Sequence, residues 1–194
     1  FDSFSMIQGD TQQVQLKILD PLGNPVNGVT VKFNMVRGRD IVMGTAKTGN
    51  DGIAKVVYEL PASVDLADYK VRADLSGLIN YNDISVFTNM TVLPRLDVFI
   101  DIYSNVYTKS PVAILKDSNG DIMANKKASI KIGTVTYSVT TNANGEVVLP
   151  GNVKGGSYTV FVTSPAQGKY NENTSSTVSV LIVNPMTGGK DYSV

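Results

Sequence analysis

The sequence predicts an all-β chain of two tandem β-sandwich domains of about seven strands each, and three observations predict it. Apolar residues recur with a period of two through most of the chain, and no segment sustains a 3.6-residue apolar period. Short polar turns closed by glycine separate these runs roughly every 8–12 residues, the spacing of a sandwich. The order of strands and turns is also written twice, with Asp117-Ser118-Asn119-Gly120 standing 97 residues after Asp20-Pro21-Leu22-Gly23.

In chain order, Phe1–Ile7 alternates loosely and reads as a first, edge strand. Gln13–Leu19 is clearer: Val14, Leu16 and Ile18 share one face, and Gln13, Gln15 and Lys17 share the other. The turn Asp20–Pro25 is set by two prolines and a glycine. Val29–Met35 follows as a strand with Val29, Val31, Phe33 and Met35 inward. Val36–Gly44 reads as a loop of mixed character. Strands resume at Thr45–Thr48, Ile53–Leu60, Tyr69–Leu75 and Ile84–Leu93, and a turn near Ala62–Ala67 is the one helical expectation. Thr48-Gly49-Asn50-Asp51-Gly52 reads as a tight hairpin connection, because Asp-Gly accepts the positive φ such turns need.

Pro94-Arg95 marks a break, after which Leu96–Tyr103 alternates and the plan restarts. Ile130-Lys131-Ile132 answers Val31-Lys32-Phe33, and Thr141-Asn142-Ala143-Asn144-Gly145 answers Thr48–Gly52. Tyr158 answers Tyr69, and Tyr170-Asn171 answers Tyr81-Asn82. Tyr69 and Tyr158 each open a late strand after a turn, where a sandwich places a tyrosine whose ring is buried and whose hydroxyl bonds nearby backbone. The expected domains are 1–95 and 96–185, with 186–194 a linker toward a further module. Phe1 is no initiator and Met186–Val194 reads as the approach to another strand, so the chain is expected to be part of a longer protein.

Composition removes several function classes. The chain has no Cys and no His, which excludes thiol nucleophiles, imidazole bases, disulfides and nearly all protein zinc sites. Lys+Arg and Asp+Glu both number 17, and no basic stripe marks a nucleic-acid partner. No run approaches the roughly 20 apolar residues of a membrane helix.

The order strand, Asp-x-x-Gly turn, Val-x-Phe or Ile-x-Ile strand, Thr-x-x-Asn/Asp-Gly turn, then x-Tyr-x-Val resembles a known family. The first half, through Asp20–Val26 and Asp51-Gly52-Ile53-Ala54, resembles the bacterial Ig-like domains of invasin and intimin. The second half, through Leu115–Gly120, Thr136–Gly145 and Gly156–Val160 to Tyr170, is similar to Ig-like repeats of methanogen-type archaeal surface and adhesin-like proteins. The resemblance implies an Ig-like fold and a cell-surface, extracellular setting. The first half departs from it in having Ala67-Asp68-Tyr69 at the tyrosine turn and in its longer Val36–Gly44 segment.

No catalytic residues are expected. Asp65/Asp68 and Asp97/Asp101 are acid pairs in sequence, set in turns or beside strands where solvated carboxylates are ordinary. No cofactor is expected, with calcium the one candidate: Asp97 and Asp101, with Asp20 or Asp51, could gather oxygen ligands at the domain junction. A Lys–Asn cross-link would draw on Lys17 or Lys116 and on Asn89 or Asn173. Asn89-Met90-Thr91 and Asn173-Thr174-Ser175 are glycosylation sequons, Asn173 in an expected loop. Arg37, Arg39, Leu78, Ile79, Lys169 and Tyr170 are the expected exposed contact groups, in the loops Val36–Gly44, Gly77–Tyr81 and Gln167–Asn173. The expected role is a non-enzymatic stalk, spacer or adhesion module of a surface protein, with a small apolar junction orienting its two domains. Its partners would be other domains of the same protein, copies of itself, or a surface glycan or protein. A self-assembling S-layer component and an accessory domain of a secreted hydrolase are the alternatives.

Overall fold

The computed structural model describes residues 1–77 and 84–184. Leu78, Ile79, Tyr81, Asn82 and the 186–194 stretch lie outside the described residues. The chain divides into two compact units, Phe1–Arg95 and Leu96–Val194.

The first unit has strands β1 (Phe4–Ile7), β2 (Thr11–Lys17), β3 (Thr30–Arg37), β4 (Arg39–Lys47), β5 (Ile53–Glu59), β6 (Asp68–Ser76) and β7 (Ile84–Leu93). One sheet runs β1-β7-β6-β3-β4, and β2-β5 form the second. Alternation explains the layers. Phe33 and Met35 of β3, Val71 and Ala73 of β6 and Met90 of β7 meet Val14 and Leu16 of β2 and Ala54 of β5 in one core. Burying a side chain the size of Phe33 contributes about 1.5–3 kcal/mol. The Ala62–Ala67 segment is a turn with no helix, closed by a bond from the Val64 N–H to the Pro61 carbonyl.

The expected loop Val36–Gly44 is corrected by the structure. β3 and β4 run straight through it as a hairpin that turns at Gly38, with φ of 75° and Arg37 opposite Arg39. The pattern misled because the register shifts once: Phe33 faces Gly44 and Asn34 faces Val42, leaving Met43 unpaired. This bulge turns Met43 into the core and breaks the alternation on which a strand is recognised.

The second unit has β8 (Val98–Ile102), β9 (Asn105–Tyr107), β10 (Pro111–Asp117), β11 (Lys127–Ile132), β12 (Val135–Thr140), β13 (Glu146–Val148), β14 (Gly156–Ser164), β15 (Asn173–Thr174) and β16 (Val178–Val183). Its sheets run β12-β11-β14-β16-β9 and β13-β10-β8, with β15 beside β14. Val112, Leu115, Ile130, Val147, Val162 and Val180 centre its core. The larger sheet repeats that of the first unit strand for strand, down to a parallel first strand: β1 on β7, and β9 on β16.

Thr48–Gly52 and Thr141–Gly145 do not close hairpins. Each carries the chain from the larger sheet to the smaller, β4 to β5 and β12 to β13. The main-chain bonds are the same in both. The Gly52 carbonyl accepts the Ile18 N–H at 2.8 Å, and the Gly145 carbonyl accepts the Leu115 N–H at 2.9 Å. Each threonine is buried and its hydroxyl takes an N–H from the residue just ahead of a strand of the larger sheet, Val29 before β3 for Thr48 and Lys126 before β11 for Thr141. Glycine is required twice over. Gly52 and Gly145 have φ of 72° and 73°, and a Cβ would stand 2.5 Å and 2.9 Å from the Ile18 and Leu115 carbonyl oxygens. The local chemistry was legible; which sheet the outgoing strand joins was not.

Candidate contact site

One cleft of the first unit gathers several of the sequence-expected groups. The β3–β4 hairpin tip and the Pro61–Asp68 connection enclose about 600 Å³, lined among others by Arg37, Arg39, Asp40, Ser63, Asp65 and Tyr69. Arg37 lies at 3.2 Å from Asp65 with both side chains more than half exposed, and its guanidinium sits 5.6 Å from the Tyr69 ring centre. An exposed pair of this kind contributes at most about 1 kcal/mol. The Tyr69 hydroxyl donates to the Asp65 carbonyl at 3.3 Å, the expected tyrosine arrangement, which pins the far wall of the cleft. Among the described residues Tyr158 makes no such bond; it packs half-buried against the second core.

A polar ladder across the outer sheet face braces the other wall. Arg72 of β6 bonds Asp40 of β4 at 2.6 Å and Asp74 of its own strand at 2.9 Å. Asp74 also accepts from the amide of buried Asn34 at 2.9 Å and from the Ser85 hydroxyl at 2.7 Å. The bonds to Asp40, then those to Asp74, hold the Arg72 guanidinium even more firmly protonated than usual. Asp65 and Asp40 are thus each held by an arginine, and neither is placed as a free acid or base. Arg39 is exposed and forms no ion pair among the described residues, so the cleft can offer a cation at its rim. The reading of residues one strand at a time missed this ladder. Outward Asn34, Arg72 and Asp74 were its signal, but their meeting depends on a register the sequence does not print.

The remaining expected residues fall apart. Tyr170 is corrected from an exposed contact to a core residue at 9% exposure. Lys126 and Lys169 cover its ring, with ammonium groups 5.2 Å and 5.7 Å from the ring centre. The loop is tied down because Gln167 bonds both main-chain groups of Lys127, at 2.9 and 3.0 Å. Asn173 is likewise not in a free loop: it begins β15 and donates its amide to the Val98 carbonyl. Asn89 is exposed in the middle of β7. Lys17 is exposed on the outward side of β2, and Lys116 follows the inward Leu115 on β10, so both carry outward parity.

The calcium candidates are not gathered. Asp97 accepts from Asn171 at 2.8 Å, and Asp101, four residues on along an extended strand, is about 13 Å away at the ordinary rise. Asp20 caps its own turn, accepting from the Leu22 and Asn24 N–H groups at 2.9 and 2.8 Å, and Asp51 accepts from Ile53 at 3.0 Å. The bond from the Asn24 N–H is the main reason the Asp20 carboxyl titrates below its ordinary range. Among the described residues no three acidic side chains cluster as metal ligands would. Of the enzyme-type pairs, Asp65 is held by Arg37 and Asp68 accepts from the Thr91 hydroxyl at 2.7 Å.

Fold and site together define a tandem Ig-like β-sandwich module. No family profile matches the chain, and no curated protein matches it. Among solved structures it is similar to fibronectin(III)-like modules of Clostridium thermocellum CbhA, at 15% identity over 93% of this chain and 89% of that one, with a TM-score of 0.33. It is similar to a tetra-tandem repeat from the extending region of a large adhesion protein, at 20% identity over 90% of this chain and 46% of that one, TM-score 0.34. A chimeric titin Z1Z2 is 12% identical over 94% of this chain and 93% of that one, TM-score 0.46. These likenesses carry no argument about function.

Proposed function

We propose that the chain is a non-enzymatic spacer or adhesion-type module of a cell-surface protein, akin to the invasin, intimin and archaeal surface repeats that its turn motifs resemble. The observation that carries this reading is the duplication. One strand plan and one glycine-closed crossing between sheets are built twice around closed apolar cores, while the acids of the first-unit cleft are held by arginines. Such a unit bears load through its core and strand bonds and needs no ligand to be folded. Its partners are then neighbouring domains of the same protein, with the Arg39 rim available to an acidic surface group.

Repeated stretching and relaxation of single molecules tests the reading. A spacer gives discrete unfolding events that recur after each relaxation; a chain that extends without a force peak, or never recovers one, overturns it. Sedimentation addresses the lattice alternative, since ordered sheets or high oligomers at micromolar concentration would assign the chain to a surface layer instead.

A further inference from the structure

β7 carries its one aromatic ring on the face where burial would not put it. The alternation turns Val86, Thr88, Met90 and Val92 inward and Ser85, Phe87, Asn89 and Thr91 outward. Thr88 is therefore buried, at 8% exposure, while the Phe87 ring stands 55% exposed on the outer face of the sheet. Burial alone would choose the reverse, since a buried ring stabilises and a buried hydroxyl costs unless it is bonded. Among the described residues no other ring and no cation stacks on Phe87.

Asn89 stands two residues further on the same face, so its side chain leaves the sheet about 7 Å from that of Phe87. It opens Asn89-Met90-Thr91, an acceptor sequence for an N-linked glycan, and Asn89 and Thr91 are both exposed. One flank is open. β6 pairs with β7 from Ile84 to Thr91, but β1 pairs with it only from Met90 onward. Among the described residues Phe87 and Asn89 thus have a neighbouring strand on one side alone. The other acceptor sequence, Asn173-Thr174-Ser175, lacks this setting. Asn173 is half-buried, its amide already donates to the Val98 carbonyl, and two places before it stands Asn171 rather than a ring.

We propose that Asn89 is a glycan attachment site and that the first sugar lies against the outward face of Phe87. The inference rests on the cell-surface reading above, because the sugar donor is met during export. A membrane oligosaccharyltransferase supplies the sugar from a polyprenyl-diphosphate-linked donor. The Asn89 Nδ2 forms a bond to the anomeric C1 as the C1–O bond to the diphosphate breaks. The polyprenyl diphosphate leaves with that electron pair, and an amide proton passes to a base of the transferase. The step falls before β7 closes onto β6, because in the folded unit the Thr91 hydroxyl that the transferase must read is bonded to Asp68 at 2.7 Å. Once the unit folds, a pyranose on Asn89 reaches back over one strand repeat. Its axial C–H groups, which carry partial positive charge, then meet the negative face of the phenyl ring. The ring is covered without entering the core.

The test secretes the full chain, with an unstructured Asn-Ala-Thr tag at its carboxyl end, from a eukaryotic host and maps sugars by peptide mass spectrometry. Occupancy of the tag shows that a chain has met the transferase. Asn89 on those chains is expected to carry a glycan, and Asn89→Gln to remove that one glycan while the tag keeps its own. A bare Asn89 on folded chains whose tag is occupied overturns the proposal. Thermal unfolding reads the contact with the ring. With the glycan trimmed to its first sugar, the first unit should melt about 2–4 °C higher than in the unmodified chain. Phe87→Leu, which keeps an apolar side chain but loses the ring, should abolish that rise; an equal rise in the Phe87→Leu chain overturns the stacking. Force peaks of the unmodified chain test the spacer reading by themselves, so the two can fail separately.

Discussion

Replacing Gly145 with alanine should cost the second unit about 2–4 kcal/mol. The residue has φ of 73°, where an L side chain brings about 1–2 kcal/mol of strain. Its new Cβ would also stand 2.9 Å from the Leu115 carbonyl oxygen and 2.5 Å from Ile122 Cγ2. Ile122 is half exposed and can swing away; the carbonyl belongs to β10 and cannot. Relief comes from lifting the crossing off β10, which stretches the 2.9 Å bond from the Leu115 N–H, worth about 1 kcal/mol. Gly120 in the same unit is the control: its φ is 85°, yet a Cβ there meets nothing within 4 Å. Gly120→Ala should therefore cost only the strain. Urea unfolding followed at second-unit amides such as Ile130 measures both. Equal losses at the two positions would show that close approach to β10 plays no part and would refute the reasoning.

Asn34→Ala leaves Asp74 short of a buried donor and should destabilise the first unit by about 1–3 kcal/mol in thermal or urea unfolding. Tyr69→Phe deletes only the hydroxyl bond to Asp65 and should cost about 0.5–1.5 kcal/mol, while Tyr158→Phe should cost less, as its hydroxyl makes no such bond. Arg37→Ala should change stability by less than about 1 kcal/mol, because its pair with Asp65 is solvent-exposed. The folded-state pKa of Asp20 is lowered, so its stabilising contribution is complete above the unfolded carboxylate pKa near 4 and is lost as pH falls through the lower folded value. Asp20→Asn should flatten that acid limb of the stability profile, and a carboxyl NMR titration should place the Asp20 midpoint below the ordinary aspartate value.

Much of the fold could be read from the sequence because strand parity and turn chemistry are local. Gln13–Lys17 was legible, since Val14 and Leu16 alternate there with Gln13, Gln15 and Lys17 without interruption. The β3–β4 hairpin was not, because the Met43 bulge changes which face a residue takes, and only the partner strand reveals that. The glycines of Thr48–Gly52 and Thr141–Gly145 announced a positive φ, but the same turn serves a hairpin or a crossing between sheets. The contact residues fared worse still. Arg37 and Arg39 come together at one cleft, whereas Tyr170 is drawn inward by Gln167 gripping Lys127 across forty residues of chain. Long-range ties of that kind leave no mark on their own neighbourhood.

The central claim is that the chain is one sandwich plan built twice, each copy stable on its own core. Phe33→Ala tests it most directly, since removing that fully buried ring should cost the first unit about 3–5 kcal/mol. Amide exchange measured residue by residue should then speed up by roughly a hundredfold or more at Val31, Val71 and Met90, with Ile130, Val162 and Val180 unchanged. Acceleration shared by both sets would mean a single cooperative body and would contradict the account.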